Sequence, residues 1–306
     1  MRGRLFRALG VTAVVFAGCF ALVLGVLLFG EPGVPSLGGN RVALVEVEGL
    51  IVDSDRVVRE LGDYEEDTSV RAIVVRIQSP GGVVAPTQEI YDAILRVRNR
   101  GKPVVASMGS VAASGGYYLA AAATRIVANP GTLTGSIGVI MQLAEIEGLL
   151  KKVGVRYEVI KAGRFKDSAS FARPMTPEER AVLQAVLDDM HDQFVTAIAE
   201  GRRLGKDRVR ALADGRVYSG RMAKELGLVD ALGGLDEAVR VAAELGGVPG
   251  KPRLVRPRRP WRLLDLADLM GGETALGWLR SVGWPGPVVP ALPLLGSPKL
   301  PLYLLD

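Results

Sequence analysis

The chain has 306 residues, almost half of them apolar, and a formal net charge of +5. That gives room for one large domain or two small ones, and the basic residues are scattered or terminal, unlike the clustered footprint of a nucleic-acid binder. With one cysteine, Cys19, and one histidine, His191, an internal disulfide framework and Cys-based or His-rich metal sites are excluded.

Arg2, Arg4 and Arg7 precede an uncharged run from Val11 to Gly30. At ~1.5 Å per residue this run spans the ~30 Å hydrocarbon core of a bilayer. The basic flank predicts a cytoplasmic N-terminus, with everything after Glu31 outside. A cleaved signal peptide is the alternative, but the run is long for one and no small-x-small cleavage site follows it. Phe16-Ala-Gly-Cys19 resembles a lipoprotein box, yet apolar residues continue after the cysteine. The expectation is therefore a basic flank and uncleaved anchor over residues 1–30, then a Pro/Gly linker over 31–40.

Val42 to Val47 alternates and is β-branched, which predicts a strand. Asp53 to Gly62 reads as a helix, Ala72 to Ile77 as a strand, and Gln78-Ser79-Pro80-Gly81-Gly82 as a turn. Thr87 to Arg98 has the period of an amphipathic helix. Pro103 to Ala106 is a short apolar strand, followed by Gly109 to Tyr118 as a turn of glycines and small residues opening a helix. Arg125 to Ala128 is a strand, Gly131 to Gly138 a loop, Glu145 to Val153 a helix and Tyr157 to Ile160 a strand. Thr176-Pro177-Glu178-Glu179 signals a helix start with a capping box. Its helix runs to about Leu204 and carries His191 as a surface or half-buried residue. Lys206 to Ala213, Gly220 to Leu226 and Leu235 to Leu245 read as helices and Val229 to Leu232 as a strand. Strands alternating with helices predict an α/β fold of repeated βαβ units with a mostly parallel sheet.

From Lys251 the composition shifts to a basic run, an apolar-rich segment from Trp261 to Met270, and a Pro/Leu-rich end. Residues 251–306 read as an appendage outside the sheet, and 41–250 as the catalytic domain. The extreme C-terminus is apolar and extended by its prolines. The first reading is that the leucines of 261–270 and 297–306 pack on the outside of the main domain or on a neighbouring subunit; the alternatives are that the basic-amphipathic segment lies on the membrane surface and that the extreme C-terminus plugs a peptide groove.

The junction from Gly109 to Tyr118 presents Ser114, followed by Gly115 and Gly116. A serine at a strand-to-helix turn is a candidate nucleophile, since the next N–H helps hold an oxyanion. The pattern is not G-x-S-x-G, because position 112 is alanine. A tight helix-on-sheet turn would use the same small residues. Serine needs a base beside it. With His191 flanked by Met190 and Asp192 inside a helix, the base falls to a lysine or a carboxylate. A lysine serves only when neutral, which requires desolvation or nearby positive charge. Lys161 and Lys166 lie on a glycine-containing loop, with Phe165 to exclude water and Ser168 and Ser170 to hold the amine.

Several stretches match one family in order. They are Ser79-Pro80-Gly81-Gly82, Ser107 to Tyr118, Gly135-Ser136-Ile137-Gly138-Val139, Gly163-Arg164-Phe165-Lys166-Asp167, Val217-Tyr218-Ser219-Gly220 and Glu225 to Asp230. The chain resembles signal peptide peptidase A (protease IV) in its short single-copy bacterial form, from the anchor to about Gly247. The resemblance implies a Clp-protease/crotonase-like fold and a Ser/Lys dyad, with Ser114 as nucleophile and Lys166 as general base. The two lie 166 − 114 = 52 positions apart, so the fold must bring them together. It also implies an oxyanion hole from the N–H groups of Gly115 and of Gly82 rather than Gly81, no cofactor or metal, and a ring-shaped homo-oligomer. The expected protein is a single-pass bacterial membrane peptidase, with its catalytic domain outside the cytoplasm, cleaving apolar peptides such as residual signal peptides. A crotonase-like acyl-thioester enzyme and an inactive membrane scaffold are the rivals.

Overall fold

The computed structural model describes residues 40–256 and the pair Leu302–Tyr303. Four strands form the parallel centre: β1 (Arg41–Glu48), β2 (Val70–Ser79), β4 (Val104–Ala113) and β5 (Arg125–Ala128). Between them run α1 (Asp55–Glu66), the two-residue β3 (Gly82–Val83), α2 (Val84–Asn99) and α3 (Gly115–Ala121). One face of the sheet carries Ala43, Val45, Val47, Ile73, Val75, Ile77 and Met108 into a large core. The other face sends Val42, Leu44, Ala72, Val74, Val105 and Val127 against Ala238, Ala242 and Ala243 of the last long helix. Burial on both faces is why these strands read as unbroken apolar runs.

β4 changes partners midway. It pairs with β2 and β5 through Met108, then resumes on β2 at Ala112 and pairs from Val111 with β6 (Leu133–Gly135). At the change, the Gln78 side-chain oxygen accepts from the Ser110 N–H at 2.8 Å, and a Cβ on Gly109 would collide with that same oxygen. The strand thus persists to Ala113, where the sequence suggested a turn from Gly109. Similarly, the loop expected over Gly131 to Gly138 contains β6.

The rest of the chain adds α4 (Glu147–Lys152), α5 (Pro177–Arg202), α6 (Lys206–Leu212), β7 (Val217–Ser219), α7 (Gly220–Glu225), β8 (Ala231–Leu232), α8 (Leu235–Leu245) and β9 (Arg253–Val255). The capping box holds: Thr176 Oγ1 accepts from the Glu179 N–H, and the Glu179 carboxylate accepts from the Thr176 N–H. Two expectations fail. Tyr157 to Ile160 forms no strand, because no neighbouring strand pairs with it, and Ile160 is 100% exposed. Arg253–Val255 joins the edge of the sheet in parallel with β1, so the segment after Lys251 is not wholly outside it. The anchor, the linker and Trp261 to Met270 lie outside the described residues. Among the described residues no helix is long and apolar enough to cross a membrane.

α5 crosses α3 at Gly201, where an added Cβ would run into the Ala121 carbonyl oxygen. Backbone cannot yield as a flexible side chain does. Gly201→Ala is therefore expected to cost about 1–3 kcal/mol of stability by forcing the two helices apart. Urea unfolding that gives an unchanged midpoint would refute this packing.

Candidate active site

Ser114 ends β4 and immediately precedes α3. Its backbone has φ 50° and ψ −119°, a region that L-residues rarely adopt. Two hydrogen bonds fix it there: Ser114 N–H donates to the Gly135 carbonyl at 2.8 Å, and Tyr118 N–H donates to the Ser114 carbonyl at 2.9 Å. Strain of this kind persists only where the surroundings over-determine it, and it concentrates at active sites. The residue is 0% exposed, and its Oγ has no hydrogen-bond partner among the described residues.

The glycines expected to form the oxyanion hole are brought to this serine. A Cβ built on Gly115 would lie 3.2 Å from Gly82 N and 3.3 Å from Gly81 Cα, and one on Gly116 would lie 2.8 Å from the Ser79 carbonyl oxygen. The Ser79–Gly82 turn and the Ser114–Gly116 turn thus touch backbone to backbone. Gly81, at φ 118°, makes the bend, and its N–H donates to Ser79 Oγ at 3.1 Å. On one edge of β3, Ile51 N–H donates to the Gly81 carbonyl at 2.9 Å and Val83 N–H donates to the Ile51 carbonyl at 2.7 Å. Strand alternation then turns the N–H and C=O of Gly82 to the opposite edge. A Cβ on Gly82 would strike the Ile51 backbone. Sequence reasoning missed Thr87, whose buried hydroxyl donates to the Val83 carbonyl at 2.8 Å and steadies this edge from α2.

Lys166 is not hydrogen-bonded to Ser114 Oγ. It is exposed, as is every residue from 151 to 166. This stretch forms an arm that folds mainly on itself, with Ile146 N–H donating to the Phe171 carbonyl and Tyr157 packed on Phe171 at 4.9 Å between ring centres. Leu149, Val153, Val155, Tyr157, Val159 and Ile160 all face solvent. The serines expected to hold the lysine do not: Ser168 Oγ donates to the Phe165 carbonyl, and Ser170 Oγ accepts from Ala172 N–H. Phe165 is itself exposed, with the Arg164 guanidinium 5.1 Å above its ring.

What fixes the lysine loop is an ion network that the sequence reading passed over. Lys161 pairs with Asp167, and Arg173 bridges Asp167 and Glu179. The Lys161 ammonium, then Arg173, hold the Asp167 carboxyl below the usual range. Arg173 and the Thr176 N–H bring Glu179 down to about 2. The capping glutamate was the signal: a residue that both caps a helix and binds an arginine ties the loop to that helix. His191 is half-buried on α5; among the described residues neither its Nε2 nor Ser114 Oγ has a hydrogen-bond partner, so the two are not bonded to each other.

The family model for Peptidase family S49 matches residues 96–249, and that for Clp protease matches residues 46–132. A Synechocystis sp. protein provisionally named a protease is 45% identical over 240 residues, covering 78% of this chain and 85% of the relative. The chain belongs to peptidase family S49. This S49 chain is accordingly a serine peptidase, and its α/β domain is Clp-protease-like. It is also similar to Protease 4 of Salmonella typhi, 36% identical over 220 residues, which cover 69% of the chain but only 35% of that longer protein. An Enterococcus faecium protein provisionally named signal peptide peptidase SppA is 33% identical over 213 residues, covering 65% of the chain and 62% of the relative.

Proposed function

We propose that this S49 peptidase is held in a bacterial cell membrane by residues 1–30. Its catalytic domain, residues 41–250, faces outward and cleaves apolar peptides such as residual signal peptides. The observation that carries the reading is the strained, orphaned Ser114 hydroxyl beside Gly82 and Gly115. In this mechanism Ser114 Oγ attacks the scissile carbonyl while a neutral Lys166 amine takes its proton. The N–H groups of Gly82 and Gly115 receive the developing oxyanion. The lysine then returns the proton to the departing amine, and water, deprotonated by the same base, releases the acyl group.

Lys166 is exposed to solvent, and among the described residues Ser114 Oγ has no hydrogen-bond partner. Both deficits support a homo-oligomeric ring. A neighbouring copy that packs its apolar arm over Ser114 would deliver Lys166 and shield it from water in one step. A crotonase-like role is disfavoured by the outward location, since coenzyme A is cytoplasmic. A scaffold is separated by chemistry. A fluorophosphonate probe on the detergent-solubilised protein is expected to label Ser114, as mapped by peptide mass spectrometry. Intact oligomer that takes up no label at Ser114 would defeat the peptidase reading.

A further inference from the structure

Ser79 closes β2, opposite Ala112 of β4, the strand that leads into Ser114. It is 0% exposed, although its side chain is a hydroxyl. That hydroxyl touches two peptide units at once. It accepts from the Gly81 N–H at 3.1 Å and donates to the Gly81 carbonyl at 3.3 Å. The N–H belongs to the Pro80–Gly81 peptide. The carbonyl belongs to the Gly81–Gly82 peptide, whose other end is the Gly82 N–H. We infer that Ser79 is a positioning residue for peptide hydrolysis: its hydroxyl fixes the direction in which the Gly82 N–H meets the oxyanion.

Gly81 has φ 118° and is followed by a second glycine, so side-chain sterics leave the dihedrals of this turn loose. A hydroxyl bonded to the groups on both sides of the Gly81 Cα restrains φ and ψ together. The Ile51 N–H also donates to the Gly81 carbonyl, at 2.9 Å. A planar trans peptide points its N–H opposite to its C=O, so two donors on the Gly81 carbonyl aim the Gly82 N–H. Accepting two bonds also polarises that peptide, which strengthens its N–H as a donor. A serine hydroxyl bonded to backbone two residues on is a common turn device. Here the peptide it holds is the one assigned to the oxyanion. The backbone of Ser79 meets the nucleophile turn as well, since its carbonyl oxygen would lie 2.8 Å from a Cβ on Gly116. One residue thus holds the donor with its side chain and touches the nucleophile's helix with its main chain.

The inference rests on the Ser114–Gly82 reading of the site, and its test separates the two. In the full-length oligomer, Ser79→Ala is expected to lower kcat about tenfold, less than the ~10²–10³ of a lost donor, with KM within about twofold. An apolar peptide aldehyde, whose adduct with Ser114 carries an oxyanion, should bind the variant about tenfold more weakly. The matching peptide alcohol forms no adduct and should bind as it does to the wild type. In a Gly82→Ala background, where the donor is already misaimed, Ser79→Ala should cost less than about threefold. Deuterium uptake over residues 79–84 should quicken in Ser79→Ala while uptake over 104–113 does not change. Unchanged kcat, equal weakening of aldehyde and alcohol, an undiminished loss in the Gly82→Ala background, or quickened uptake throughout the chain would overturn the inference. Aldehyde binding by the wild type that does not depend on Ser114 would instead defeat the peptidase reading, and the uptake over 79–84 would still decide whether Ser79 holds the turn.

Discussion

Ser114→Ala and Lys166→Ala are each expected to reduce peptide hydrolysis by roughly 10⁴-fold or more while the protein remains folded, and the double variant to be little worse than either. Lys166→Arg should not restore activity, since a guanidinium stays charged. His191→Ala should keep most activity: among the described residues its Nε2 has no hydrogen-bond partner, and Ser114 Oγ does not bond to it. The decisive form of the experiment mixes the two inactive single variants. If each site combines the serine of one copy with the lysine of the next, a randomly assembled one-to-one mixture regains up to about one quarter of wild-type activity, since a quarter of ring interfaces pair the two intact residues. If both residues act within one chain, the mixture stays dead. A dead mixture with active wild-type controls would refute assembly across copies. Activity lost in His191→Ala but kept in Lys166→Ala would refute the dyad itself.

The second large effect is expected at a residue with no side chain. In Gly82→Ala the new Cβ meets the Ile51 backbone on the bonded edge of β3, so the strand must shift. The shift withdraws the Gly82 N–H from Gly115 and misaims one of the two proposed oxyanion donors. Loss of one such donor typically costs about 10²–10³-fold in kcat. Because the donor acts on the developing charge more than on the bound peptide, the fall should appear mainly in kcat, with KM changing far less. Unaltered kcat in a folded Gly82→Ala protein would remove Gly82 from the oxyanion hole. Fluorophosphonate labelling of the variant would show whether Ser114 itself is still presented.

Much of this architecture was legible from local signals. The runs in β1, β2 and β4 are apolar on both faces because helices cover both sides of a parallel sheet, and no other environment favours such sequences as strongly. Thr176-Pro177-Glu178-Glu179 encodes its own helix start, since every bond in a capping box is made within four residues. Ser114 and its glycines are likewise a local strand-to-helix junction. What escaped depends on partners. Tyr157 to Ile160 has strand-like residues, but strand preference is a fit to a neighbouring pleated surface, and here there is none. Arg253–Val255 sits in a basic run, yet an edge strand tolerates arginines because only one of its sides is paired. The position of Lys166 relative to Ser114 was least legible. The loop's order comes from Arg173 bridging Asp167 and Glu179, and nothing in the spacing of 52 residues reveals where that loop points.

The brevity of β3 bears on the proposed choice of substrate. A sheet edge with free main-chain groups invites any other strand edge to pair with it, which is why folded proteins blunt or cover theirs. Here the edge of β3 away from Ile51 is only Gly82–Val83, with α2 starting at the next residue, Val84. A folded protein would have to surrender part of its own sheet to gain one narrow pair of bonds at Gly82, a losing exchange. A loose, apolar chain gives up nothing comparable. A two-residue strand would therefore sort polypeptides by whether they are already folded, before any side chain is read.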